Sequence, residues 1–189
     1  MPPSSPRGNA HKSYYFDGGA TSWNIHPTWA SLPYFVSIWE RHKIFFDKIF
    51  AYEATAPVAS FEQSVPFKWK SKVKYSNVYI ASKPENHSEE TPFVPLVIPE
   101  IASKEDYVLF KLDIDSAGVE NSIIDYIASD DNDASEYIDE FFYEHHIGGN
   151  YFMRRYNWAK GEKRKVHMNE SYEMFLNLRK KGIRAHSWV

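Results

Sequence analysis

Two stretches of this chain concentrate groups that can hold a proton or a cation. Phe110-Lys-Leu-Asp-Ile-Asp115 ends an apolar run in two carboxylates, and Tyr137-Ile-Asp-Glu-Phe-Phe-Tyr-Glu-His-His146 ends another in a carboxylate and two imidazoles. Side chains alternate along an extended strand, so Asp113 and Asp115 share one face, Glu144 and His146 share another, and His145 takes the opposite side. Asp115, Glu144 and His146 would offer oxygen and nitrogen ligands to a divalent metal such as magnesium. Such an ion would fix acceptor oxygens and lower the pKa of an acceptor hydroxyl. Without a metal, His145 or His146 could act as a general base near neutral pH. A structural reading stands beside both: Glu144 and the histidines pair with Lys111, Arg154 or Arg155 at a sheet end.

For these groups to meet, the two runs must be parallel strands whose carboxyl ends open on one crevice, the place where open α/β sheets bind ligands. The chain supplies the rest of such a sheet. Tyr14 to Gly19 reads as a strand ending in a Gly-rich turn, and Ser31 to Lys43 puts Leu32, Phe35, Val36 and Trp39 on one helical face. Asp47 to Glu53 and Val73 to Ile80 read as two further strands, separated by an unpatterned connection from Ala56 to Lys70. Ser82 to Pro99, polar and then Pro-rich, reads as an irregular surface loop. Tyr107 to Asp115 has the continuous apolar character of a strand buried on both faces, and Val119, Ile123, Ile124 and Ile127 form a helical stripe after it. The Tyr137 strand follows, then a helix from about Ser171 with Met174, Phe175 and Leu178 inward, Gly182 as its C-cap, and a closing strand from Ile183 to Val189. The pattern predicts an α/β, Rossmann-like, doubly wound and mostly parallel sheet with flanking helices.

Length and composition limit the remaining choices. The 189 residues suit one domain, expected over 13–189 behind a flexible Pro/Ser-rich arm at 1–12, and 43% hydrophobic content supports a core. With no cysteine, neither disulfides nor thiolate chemistry is available. A formal charge of −3 argues against a general nucleic-acid binder, since such domains are basic. No run is long and apolar enough for a membrane span and the start has no signal-peptide core, so the expectation is a soluble, by default cytoplasmic, protein.

The order Phe16-Asp-Gly-Gly-Ala20, a strand ending in Glu53, and Phe-Lys-Leu-Asp-Ile-Asp followed by Val119-Glu120 resembles the FkbM-type branch of class I S-adenosylmethionine-dependent methyltransferases. That family opens on Asp-x-Gly-Ala-Asn-x-Gly and carries Lys-x-Asp-x-Glu-Gly-x-Glu at its fourth strand. Asp17, Gly19, Ala20, Lys111, Asp113 and Glu120 match by position or type. The resemblance implies S-adenosylmethionine as cofactor, with Asp17, Gly18, Gly19 and Ala20 under its methionine part, Glu53 on the ribose hydroxyls, and Asn77 in the same cofactor-binding set. It also implies Asp113 or Asp115 near the methyl donor. Trp23 stands where the family has its last glycine, and the direction of its indole, over the turn or away from it, decides whether the pocket is open. The fourth-strand motif is longer by one residue, and the final antiparallel pair of complete methyltransferase sheets is shortened.

Three remaining features have plainer readings beside functional ones. Asp130-Asp-Asn-Asp133 lacks the full calcium-loop pattern and reads as a solvated turn. His186 reads as a satisfied core or surface histidine. The basic, aromatic segment containing Arg154, Arg155, Lys160, Lys163, Arg164 and Lys165 reads as a solvated loop that could dock an acidic or sugar-like acceptor. The functional expectation is methyl transfer to a hydroxyl of a small or glycan-type acceptor. The alternative is a catalytically degenerate domain that binds a protein partner as a scaffold.

Overall fold

The computed structural model describes residues 12–24, 31–145 and 168–188. The expected N-terminal arm, apart from Lys12, lies outside the described residues, as do His146 and the basic segment before residue 168.

Six strands form one sheet: β1 (Ser13–Gly18), β2 (Lys48–Tyr52), β3 (Val73–Ser76), β4 (Tyr107–Leu112), β5 (Glu140–Tyr143) and β6 (Arg184–Ser187). Their order is β3-β2-β1-β4-β5-β6 and every pairing is parallel, the α/β Rossmann-like arrangement. No antiparallel strand occurs among the described residues, so the shortened end of the sheet is a single parallel strand, β6.

Period-two alternation divides β1 and β4 between two cores. Tyr14 and Phe16 with Phe110 and Leu112 face one side, which is covered by α3 (Val94–Ile101), α4 (Ala117–Ala128) and α5 (Met168–Lys180). Tyr15 and Leu109 face the other, where α1 (Ser31–Arg41) lays down Leu32, Phe35, Val36 and Trp39, and α2 (Val58–Ser64) adds Phe61. Burial on both faces explains why these strands read as unbroken apolar runs. Helix α5 ends where expected: Gly182 takes φ +94, and Ile183 donates to the Leu178 carbonyl. The three aspartates of the acidic turn at 130–133 are exposed, and two are tied down by lysines, Asp130 to Lys181 and Asp133 to Lys104.

Two expected connections are in fact helical. The stretch read as an irregular loop from Ser82 to Pro99 contains a 3-10 turn at Pro84–Asn86 and the start of α3. Pro95 sits in the first turn of α3, where its missing N–H has no helical partner to lose, and Pro99 forfeits only one bond. The connection at 56–70 contains α2 and a 3-10 turn at Phe67–Trp69. The third strand stops at Ser76 rather than Ile80, and the run from Tyr137 begins as the end of a 3-10 turn before β5.

Candidate functional site

A cavity of about 570 Å³ opens at the carboxyl ends of the strands, at the β1/β4 boundary where the strand order reverses direction. The segment after each strand reaches it: Gly19 after β1, Glu53 and Thr55 after β2, Val78 to Ile80 after β3, Asp113 to Ser116 after β4, Glu144 after β5, and Trp188 after β6.

Beneath it lies a buried charge network. Asp17 and Lys111 are register partners on β1 and β4, and both are buried, at 0% and 1% exposure. The Lys111 ammonium sits 3.3 Å from Asp17 Oδ1 and 3.2 Å from Asp113 Oδ2, and it donates to the Gly18 carbonyl at 3.2 Å. Tyr15 and Ser31 hydroxyls each donate to Asp17 Oδ2 at 2.6 Å. Burial presses the Lys111 pKa down, but Asp17 and Asp113 outweigh it and hold the pKa above the ordinary lysine value. Burial, reinforced by the neighbouring Asp17 charge, pushes the Tyr15 phenol well up.

The Gly-rich turn is shaped by the protein's own backbone. Gly19 has φ +91, and a Cβ there would stand 1.6 Å from the Asp113 carbonyl oxygen, so β4's exit is what requires the glycine. The Gly19 and Ala20 amides both donate to the Tyr52 carbonyl. Asp17 is sealed below this turn, and Ala20 is buried in the α1-side core. Of the four turn residues expected under a cofactor, Gly19 alone lines the cavity.

On β4, the strand ends at Leu112, so strand alternation does not bring Asp113 and Asp115 together. A turn does. Asp113 N donates to the Gly18 carbonyl, Asp115 adopts left-handed φ 54, and Ile114 N donates to Glu120 Oε1. Glu120 is fully buried in the first turn of α4, where a carboxylate also favours the helix dipole. Carboxylate oxygens of Asp113, Asp115 and Glu144 come within 4.8 Å of one another. This all-oxygen set suits a hard divalent cation.

Glu53 lies at the end of β2 as expected, and its Oε1 accepts from the Thr55 amide (2.7 Å) and hydroxyl (2.6 Å). Asn77 does not line the cavity; its side chain donates to the Glu53 carbonyl at 2.8 Å and braces that strand end. His145 stacks on Tyr143, which faces the α3–α5 core, and it too is outside the lining. Trp23 does not line the cavity: its ring meets Trp69 at 5.8 Å in the α1-side core. His186 pairs with Glu140 across β5 and β6 and stacks on Phe142, a structural role.

The chain matches no family model, no curated protein and no solved structure.

Sequence reasoning missed two contributors and misassigned a third. Trp188 donates its indole N–H to Asp113 Oδ2 at 3.2 Å and walls the cavity; its spacing of two from His186 and four from Arg184 was the available signal. Thr55 orients Glu53, readable as a hydroxyl two residues beyond a strand-end carboxylate. Lys111, offered as a partner for Glu144 or the histidines, is instead committed to Asp17 and Asp113. The described lining residues include four carboxylates, Glu53, Asp113, Asp115 and Glu144, and no Lys, Arg or His.

Proposed function

We propose that the cavity binds S-adenosylmethionine and that the protein transfers its methyl group to a hydroxyl of a small or glycan-type acceptor. One observation carries this reading: the described lining is acidic, without a basic side chain, and it lies at the switch point of the sheet. Such a wall attracts a nucleoside bearing a sulfonium and an ammonium, and it repels the pyrophosphate of a dinucleotide. Glu53, oriented by Thr55, accepts from the ribose hydroxyls. Val78, Tyr79 and Ile80 offer apolar and aromatic surface to the base.

Bound there, S-adenosylmethionine supplies a methyl group on a positively charged sulfur, which departs as a neutral thioether once the acceptor oxygen has taken the methyl. Without a metal, Asp115 receives the acceptor proton, in place of His145, whose ring stacks on Tyr143. Lys111 and Trp188 hold Asp113 in place at the cavity wall. Asp113, Asp115 and Glu144 would hold magnesium, which would lower the pKa of the acceptor hydroxyl.

A second reading, a degenerate domain that binds a protein partner as a scaffold and no longer binds the cofactor, is favoured by one observation: the Gly19 and Ala20 amides are both spent on Tyr52, leaving them unavailable to a ligand carboxylate.

Calorimetric titration with S-adenosylmethionine and S-adenosylhomocysteine separates the two. Micromolar binding that is lost in Glu53→Ala and is absent for a nicotinamide dinucleotide supports the first. No heat from either ligand at millimolar concentration, with a folded sample, would sink it.

A further inference from the structure

The end of the sheet opposite the cavity has a different chemistry. Two segments meet there, 40–48 running into β2 and 62–74 running into β3. Lys48 Nζ donates to the Ser71 carbonyl at 2.9 Å, Lys72 Nζ donates to the Phe46 carbonyl at 2.7 Å, and Ile49 N donates to the Lys72 carbonyl. Together the segments carry seven Lys and Arg against three acids, in a chain that is formally −3. Two of the acids are engaged, Asp47 by the Ser13 amide at 2.8 Å and Glu40 by Lys68 at 3.7 Å. Arg41, Lys43, Lys68, Lys70 and Lys74 are exposed.

Among these cations stand two phenylalanines, Phe45 at 54% and Phe67 at 91% exposure. Phe67 opens a 3-10 turn behind Pro66, and the turn is anchored by Trp69, buried to 5% and packed on Trp23. Lys68 and Lys72 lie over the Trp69 ring at 5.3 and 5.5 Å, so the cations are arrayed around a rigid base. A ring with nine-tenths of its surface in water projects outward from the protein.

We propose that this end of the sheet docks on an anionic lipid bilayer, with Phe67 and Phe45 entering the boundary between headgroups and acyl chains and the surrounding lysines meeting lipid phosphates and carboxylates. The combination fits interfacial binding, which adds apolar insertion to electrostatic attraction. It fits a nucleic acid less well, because single-strand binders hold their aromatics as stacking platforms along a groove and not as projecting tips. Docked this way, the protein turns its cavity away from the bilayer, with the length of the strands in between.

The test is cosedimentation of the full chain with phosphatidylcholine vesicles made with and without phosphatidylserine. Binding is expected only with phosphatidylserine, and it weakens as salt is raised. Phe67→Ala is expected to reduce partitioning about tenfold, and Lys68→Ala with Lys70→Ala roughly 25-fold. All three residues are exposed, so unchanged thermal melting confirms intact folds, and Tyr172→Ala, exposed on α5, is expected to bind as wild type. Absence of binding to phosphatidylserine vesicles, or binding indifferent to Phe67→Ala, would overturn the proposal. A single-stranded oligonucleotide binding the patch while vesicles do not would overturn it as well.

Discussion

Replacing Lys111 by Met tests whether the buried charge network, and not apolar packing alone, fastens β1 to β4. The ammonium lies 3.3 Å from Asp17 and 3.2 Å from Asp113. At an effective dielectric of about 20, each contact has a Coulomb energy of about 5 kcal/mol before the desolvation of the charges is subtracted. Methionine fills similar volume but leaves the wholly buried Asp17 without a counter-charge, and breaking a buried pair this way costs about 3–5 kcal/mol. That is a large part of the ~5–15 kcal/mol that holds a domain together. With a urea slope of about 2–3 kcal/mol/M, the unfolding midpoint should fall by ~1–2 M. The companion variant Asp17→Asn removes the stranded charge, so Lys111→Met with Asp17→Asn should be more stable than Lys111→Met alone by about 1–2 kcal/mol. Urea curves followed by tryptophan fluorescence and by circular dichroism measure both. A Lys111→Met midpoint within 0.3 M or so of wild type at an unchanged slope, or a double variant no better than the sum of the singles, would refute the reasoning.

Gly19→Ala should abolish folding or reduce stability by more than ~3 kcal/mol, because its Cβ would meet the Asp113 carbonyl at 1.6 Å, whereas Gly118→Ala, with nothing within 4 Å in the first turn of α4, should add about 0.5–1 kcal/mol; thermal melts distinguish them. Asp115→Gly should gain about 0.5–1 kcal/mol by relieving left-handed backbone at φ 54 while weakening magnesium binding measured by calorimetry, a gain in stability at the expense of the site. Stability should hold up to about pH 10 and then fall. Burial raises the folded-state pKa of Tyr15, Tyr107 and Tyr52, each with added help from a nearby carboxylate, so the unfolded chain ionises first as pH rises past about 10, the ordinary tyrosine value. Urea midpoints between pH 8 and pH 11 check this, and an unchanged midpoint at the alkaline end would count against it.

The sheet was legible because burial on both faces leaves uninterrupted apolar runs, as in Tyr107 to Leu112. Helix α3 was not, because Pro95 and Pro99 read as breakers when both occupy positions a short helix tolerates. Strand-end carboxylates announced Glu53, Asp113, Asp115 and Glu144, all of which reach the cavity. The Asp17–Lys111 pair was hidden, since it depends on the register of two strands distant in the sequence, and Asp17, expected under the methionine part of a cofactor, is buried out of the cavity lining. Asp115 converges on Asp113 through a left-handed residue that no periodicity encodes. His145 was offered as a base, but it stacks on Tyr143, on the side opposite Glu144 that alternation assigned to it.

The β1–β4 pairing in the middle of the sheet joins Ser13 to Tyr107, and Lys12 to Asp106 across 94 positions. During synthesis, β1, β2 and β3 therefore leave the ribosome long before the strand that completes them. At 5–20 residues per second the delay is several seconds. Throughout it, the β1 edge and the rings of Tyr14 and Phe16 are open to wrong partners, and Asp17 has no counter-ion. The first half of the chain is thus not a self-sufficient unit, and a break in the loop before β4 would separate two pieces that each lack the other's central strand. A chaperone that holds emerging apolar strands should bind nascent chains ending before residue 107 and release those that extend past 112, a length dependence that follows from the strand order alone.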